Sequence, residues 1–186
     1  MTAPEPTRPA EHIDAVARVS APDAVLSDCG TYRYKLTRTW DERIERGTFV
    51  MLNPSTADAA VDDPPIRRCA GFAKAWGFGG LSVVNLYALR ATNPRDLWTH
   101  PDPVGPDNDL WLTLALTHSS RIVAAWGANA KPDRVARFWQ LAEARLDESR
   151  GWGHVSALRV TKSGAPGHPL YIPADAELKP YAEAQR

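Results

Sequence analysis

Residues 81–89, LSVVNLYAL, form a run of apolar side chains that only Ser82 and Asn85 interrupt. A strand that is covered on both faces has such a continuous run, whereas a strand with one exposed face alternates apolar and polar residues. Strands of this kind belong to sheets that carry helices on both faces. The run therefore predicts a central strand of an α/β fold.

The segments before this run predict two strands and a helix. Residues 48–52 are a short apolar run after Gly47, which Asn53-Pro54 ends in a turn. Residues 64–76 place apolar side chains at helical spacing after a double proline, and three glycines at 77–80 end the helix. Earlier, TYRYKLTRTW (31–40) alternates aromatic or apolar with basic residues, which predicts an edge or outer strand.

The segments after the run continue the alternation of strand and helix. Residues 90–109 are rich in proline and predict a long loop, and a helix follows from about residues 107–109. RIVAAWG (121–127) is a third buried strand, residues 131–148 are an amphipathic helix, and HVSALRVT (154–161) is a fourth strand. This order predicts a three-layer α/β/α fold with a mostly parallel central sheet.

Length and composition are those of one ordinary globular domain. The chain has 186 residues, no net charge and two cysteines, too few for a disulfide framework or a four-cysteine metal site. We expect a flexible tail over residues 1–20 and one α/β domain over residues 21–186. No stretch has the length of a membrane span or the pattern of a secretory signal, so we expect a cytoplasmic monomer that does not contact membranes.

Polar or glycine residues follow each of the four predicted parallel strands. Asn53-Pro54-Ser55-Thr56 follows the first, Asn85 lies near the end of the second, Gly127 ends the third, and His168 lies in the loop after the fourth. The carboxyl ends of parallel strands meet at one edge of a sheet, where such folds bind ligands. These residues therefore predict one cleft.

Each of these residues also has an ordinary structural role. Asn-Pro is a common turn, Asn85 is either a satisfied buried amide or a ligand reader, and a single loop histidine such as His168 is most often just exposed. Asp62 and Asp63 suit a metal site, but a solvated loop or the N-cap of the helix at residue 64 is the more frequent role of such residues.

The motifs VMLNPST, LSVVNLYALRA, RIVAAWGANAK and VTKSGAPGHPLY, in this order, resemble the motifs of the uracil-DNA glycosylase superfamily. Residues 32–171 also resemble a bacterial family known only as a domain of unknown function, for which MLNPSTAD, DDPxIRRC, NLYALRAT and GHPLY are typical. The second resemblance brings no activity. The first implies a uracil-DNA-glycosylase-like fold and base excision.

The glycosylase resemblance implies roles for the residues at the strand ends. Asn53 would position the attacking water, with Pro54 and Ser55 shaping the loop, and Asn85 would read the Watson–Crick edge of an extruded base. His168 would stabilise the negative charge that grows on the base.

Further binding residues follow from the same resemblance. Leu170 or Tyr171 would fill the gap left in the base stack, and Phe72 or Tyr87 would stack on the base. Apart from the resemblance, Gly127 either lets the backbone pass close to a ligand or forms a tight turn from strand to helix. Asn53 stands where many members have a carboxylate, which implies slow hydrolysis.

The resemblance thus implies a DNA glycosylase-like hydrolase that excises an altered or mispaired base from single- or double-stranded DNA. Base excision needs no cofactor, and we expect neither a cofactor nor a metal. Two alternatives stay open: a module that binds a nucleobase or nucleotide without cleaving it, and a small-molecule hydrolase with a metal held by Asp62, Asp63 and His168.

Overall fold

The structure is a computed structural model, and it describes residues 24–55, 62–145 and 155–181. The predicted tail over residues 1–20, Thr56 and the end of the helix predicted over 131–148 lie outside these ranges. The strands are β1 Ala24–Leu26, β2 Arg33–Thr39, β3 Arg46–Met51, β4 Gly80–Asn85, β5 Ile122–Ala124, β6 Val155–Ala157 and β7 Lys179–Pro180. The α-helices are α1 Pro64–Ala75, α2 Asn108–His118 and α3 Pro132–Glu143, and Pro94–Trp98 and Pro169–Tyr171 are short 3₁₀ helices.

The strands form one mixed sheet of seven strands in the order β1-β2-β4-β3-β5-β6-β7. The four strands predicted to be parallel, β3, β4, β5 and β6, are adjacent and mutually parallel. The sheet as a whole is only partly parallel, because β1, β2 and β7 pair in antiparallel fashion. Residues 31–40 were predicted to form an edge or outer strand, and β2 is an outer strand but not the edge strand, since it lies between β1 and β4.

Helices pack against both faces of the sheet, and side chains of β3 alternate between them. Phe49 belongs to the cluster that contains Phe72 of α1, and Val50 belongs to the cluster that contains Leu112 of α2 and Phe138 of α3. A strand with a core on each side needs apolar residues at every position. The apolar runs at β3 and β4 in the sequence have this cause.

The order of the strands places a crevice at the carboxyl ends of β3 and β5. The chain runs from β3 to β4 on one side and then crosses back to β5 on the other side of β3. Loops that leave neighbouring strands in opposite directions leave a gap between them, where α/β folds bind ligands.

None of the described helices has the length and apolar character needed to cross a membrane.

The entry into β4 has no room for a side chain at Gly79, which yields a test of the fold. A Cβ on Gly79 would lie 2.1 Å from the carbonyl oxygen of Asp41 and 2.5 Å from that of Ile44. We expect Gly79→Ala to lower the free energy of unfolding by about 1–3 kcal/mol or more, because the backbone itself must move. Gly71→Ala is the control, because a Cβ at this exposed helical position meets nothing within 4 Å. Since alanine favours the helix more than glycine does, we expect this change to raise the free energy of unfolding by about 0.5–1 kcal/mol. Urea unfolding measures both, and equal values would contradict the packing at Gly79.

Candidate functional site

A cavity of about 750 Å³ opens at the carboxyl ends of β3, β4 and β5. The N-terminus of α1 and the loop after β6 form its other walls. Its volume lies in the range of small-molecule and cofactor sites. The predicted site residues that line it are Asn53, Ser55, Asn85, Gly127, His168, Leu170 and Tyr171.

Three predicted residues do not line this cavity. Phe72 is buried in α1, where its ring stacks on Trp76 at 5.5 Å. Tyr87 belongs to the cluster on the other face of the sheet, and its hydroxyl accepts a hydrogen bond from the Lys131 backbone N–H. Pro54 is buried in the loop after β3. The two rings predicted to stack on a base therefore do not line the cavity, and both pack in the hydrophobic core.

The side chain of Asn53 is fixed by two carbonyl groups. Its Nδ2 donates to the carbonyl oxygens of Ala91, at 2.8 Å, and Pro54, at 3.0 Å. Since both partners can only accept, these contacts settle which end of the amide is the NH₂ group. The Oδ1 atom is left as an acceptor at the cavity wall.

Asn85 is buried, and its side-chain amide has no protein partner within the described part of the chain. Only 3% of the residue is exposed, and its backbone carbonyl accepts a hydrogen bond of 3.1 Å from Nδ2 of Asn108. A second bond from the same Nδ2 to the Leu86 carbonyl fixes the end of β4. No described protein group pairs with this amide, so the role of Asn85 as a ligand reader stays a prediction. Because Asn85 lines the cavity, a bound ligand can pair with its amide donor and acceptor.

His168 presents a hydrogen-bond donor at this site. Its Nδ1 accepts a hydrogen bond from the Leu170 backbone N–H at 3.4 Å. Burial lowers the pKa of His168 below its usual 6.5, and the negative charge of Asp63 partly opposes this shift. In the neutral ring, with Nδ1 accepting this hydrogen bond, the proton is on Nε2 and Nε2–H is the donor.

The loop that carries His168 is attached to α1 and adjoins the end of β5. Arg68 of α1 donates hydrogen bonds to the carbonyl oxygens of Pro169 and Ile172. Gly127 has a φ of +74°, and a Cβ placed on it would lie 3.5 Å from the Cβ of His168. The loops after β5 and β6 therefore meet at the wall of the cavity.

The two acids before α1 have structural partners. Asp63 caps the helix, with Oδ1 accepting from the Ile66 N–H at 2.9 Å and Oδ2 from the Ser55 hydroxyl. Asp62 forms an ion pair with Arg38 at 2.8 Å. The N-cap interpretation is confirmed. Among the described residues, no three histidine, cysteine or acidic side chains come together to hold a metal ion, so Asp62, Asp63 and His168 do not form the metal site of the third alternative.

The sequence interpretation missed Arg33, which lines the cavity although it is 5% exposed. Burial lowers the pKa of its guanidinium, and the charge of Asp63 opposes this shift. Arg33 begins β2, and because β2 runs antiparallel to β4, its beginning lies at the edge where the parallel strands end. The sequence interpretation looked for polar residues after the carboxyl ends of parallel strands. Arg33 lies at the beginning of an antiparallel strand, and nothing in the sequence indicates that β2 runs in this direction.

A family profile described as "Protein of unknown function (DUF1643)" matches residues 33–170. The chain belongs to this DUF1643 family. No curated protein and no solved structure matches it. The DUF1643 match confirms the predicted membership of a family of unknown function. It begins at Arg33 and ends at Leu170, so it spans β2 to β6 and most of the cavity wall.

The hydrogen bonds of Arg68 predict a local effect on the His168 loop of this DUF1643 protein. Arg68→Ala removes two charged donors, so we expect amide hydrogen exchange over residues 166–172 to accelerate about tenfold or more. The matched control is Arg67→Ala, since Arg67 is exposed and, among the described residues, its side chain donates to the Asp62 carbonyl just before its own helix. Exchange measured by mass spectrometry compares the two variants, and equal exchange in both would contradict the attachment.

Proposed function

We propose that this protein is a base-flipping N-glycosidase that excises an altered or mispaired base from DNA. The observation that carries the proposal is the buried, unpaired amide of Asn85 in the same cavity wall as the Nε2–H donor of His168. One group recognises a base and the other stabilises it as a leaving group.

The Asn85 amide suits the edge of a nucleobase. It offers a donor and an acceptor side by side, and the Watson–Crick edge of a base presents the complementary pair. Asn108 fixes the backbone of Asn85 through the carbonyl group, which supports a preorganised reader. Binding of a base then supplies hydrogen bonds that no described protein group makes to this amide.

His168 would act on the departing base. When the bond between C1′ and the base nitrogen breaks, the electron pair moves to the base and negative charge collects on its carbonyl oxygen. A neutral imidazole can donate its Nε2–H to this oxygen, and a donor of this kind contributes about 2.7–4 kcal/mol to catalysis. The released base takes its proton from solvent.

Asn53 would hold the attacking water through Oδ1. The water oxygen bonds to C1′ of the oxocarbenium-like sugar, and the proton it loses goes to solvent. Asn53 cannot take this proton as a carboxylate would, and its Nδ2 is engaged by Ala91 and Pro54. This supports the expectation of slow hydrolysis.

Leu170 and Tyr171 would fill the position of the extruded base. Both lie at the rim of the cavity next to His168, with exposed fractions of 39% and 80%. Large exposed apolar side chains at a binding site are candidates for insertion between bases. The four parallel strands and the helix clusters on both faces also support the uracil-DNA-glycosylase-like three-layer fold, with three antiparallel strands added to it.

A module that binds a base without cleaving it is the second candidate. It is favoured by one observation, that the residue in the water-positioning place is an amide and not a carboxylate. Such a module would use Asn85 in the same way and would need neither Asn53 nor His168 for turnover.

An excision assay distinguishes the two. Purified protein is incubated with labelled single- and double-stranded oligonucleotides that carry uracil, mispaired thymine, hypoxanthine or 5-hydroxymethyluracil, and alkali then cleaves at abasic sites. We expect excision of one base, reduced about 100-fold or more in His168→Gln and lost in Asn85→Leu. His118→Gln, an exposed histidine of α2 outside the cavity, is the control. Undiminished excision by His168→Gln, or binding without any excision, would contradict the glycosidase proposal, and the latter would support the second candidate.

A further inference from the structure

Arg33 places a guanidinium group in the cavity wall without a protein partner. The residue is 5% exposed, and within the described part of the chain its side chain makes no hydrogen bond and has no carboxylate within 4.0 Å. A guanidinium has five N–H donors and stays charged in proteins. A largely buried charge without a partner is costly, and an anion bound in the cavity would supply one.

Asp63, whose charge acts on Arg33, does not fulfil this role. Asp63 influences Arg33 through its charge, but both of its carboxylate oxygens already accept hydrogen bonds, from the Ile66 N–H and the Ser55 hydroxyl. The remaining charged residues of the wall are Arg159 and Lys162, both exposed and both basic. Three basic groups and one acid therefore line the cavity, although the chain as a whole has no net charge.

The backbone at the start of α1 offers no other anion site. Pro64 and Pro65 have no N–H group, and the Ile66 and Arg67 N–H groups donate to Asp63. The free N–H groups of a helix N-terminus, which often bind phosphate, are therefore absent or used here. An anion in this cavity would depend on the Arg33 side chain.

We propose that Arg33 binds a phosphate group of the ligand, so that the cavity takes a nucleotide in preference to a nucleoside or a free base. A guanidinium binds phosphate oxygens with two parallel hydrogen bonds. Arg33 and Asn85 lie on the paired strands β2 and β4 and line the same cavity, so one ligand can reach both. The identity of the base reader rests on the proposed function, whereas the anion site does not.

Calorimetry with pairs of nucleosides and nucleotides tests this site. The five 2′-deoxynucleosides of uracil, thymine, adenine, guanine and cytosine are compared with their 5′-monophosphates at fixed salt. We expect the wild type to bind at least one nucleotide about tenfold to a hundredfold more tightly than its nucleoside, which is the effect of a charged hydrogen bond. In Arg33→Gln the ratio should fall to about twofold or less.

Two further variants test whether the effect is specific to the position and to the paired donors of Arg33. Arg43→Gln removes the same charge from an exposed position outside the cavity and should keep the wild-type ratio. Arg33→Lys keeps the charge but not the paired donors, and should keep part of the preference. Equal binding of nucleoside and nucleotide by the wild type overturns the proposal even if Arg33→Gln fails to fold. A preference that survives in folded Arg33→Gln also overturns it, and so does an equal loss of both ligands, which would assign Arg33 to the base.

Oligonucleotides distinguish the source of the phosphate. If no mononucleotide binds but single-stranded DNA does, and Arg33→Gln weakens this binding while Arg43→Gln does not, the phosphate belongs to DNA and the proposal holds. If neither binds, the proposal is overturned. A preference for nucleotides that depends on Arg33, without base excision, would support the anion site and contradict the glycosidase proposal. Base excision that is unchanged in Arg33→Gln would support the glycosidase proposal and contradict the anion site.

Discussion

Backbone hydrogen bonds hold the segments after β3 and β4 together beyond the ends of the two strands, and the candidate site depends on these bonds. The Leu86 N–H donates to the Met51 carbonyl, and the Tyr87 N–H donates to that of Leu52, each at 2.9 Å. A third bond, from the Ala91 N–H to the Pro54 carbonyl, holds the loop after β3. The two loops therefore leave the sheet together, and their polar side chains lie at one edge.

This edge concentrates polar groups that the protein itself does not satisfy. The Asn85 amide and the Arg33 guanidinium are both largely buried and both lack protein partners among the described residues. Both groups line the cavity, so a ligand bound there can pair with them. Their presence in one cavity, beside the Nε2–H donor of His168, is the physical reason to assign the cavity to a ligand with polar edges and a negative charge.

The sequence predicts the elements whose patterns depend on local physics. The doubly covered strands β3 and β4 are visible as apolar runs, and the cap of α1 is visible as Asp63 before two prolines. The position of Arg33 was not predictable, because strand direction is set by tertiary pairing. Tyr87 lies two residues after Asn85, and in a strand this spacing keeps two side chains on the same face. However, β4 ends at Asn85 and the chain then turns. Its ring consequently packs on the opposite face of the sheet.

The most direct measurement of the central claim is the NMR signal of the Asn85 side-chain amide during titration with the five deoxynucleoside monophosphates. The signal is assigned by its absence from the spectrum of Asn85→Leu, and the amide of Asn108, which already donates two hydrogen bonds, is the internal reference. The account predicts that the Asn85 amide shifts saturably with the bound nucleotide while that of Asn108 stays nearly constant. A nucleotide that saturates the protein and leaves the Asn85 amide unchanged would contradict it.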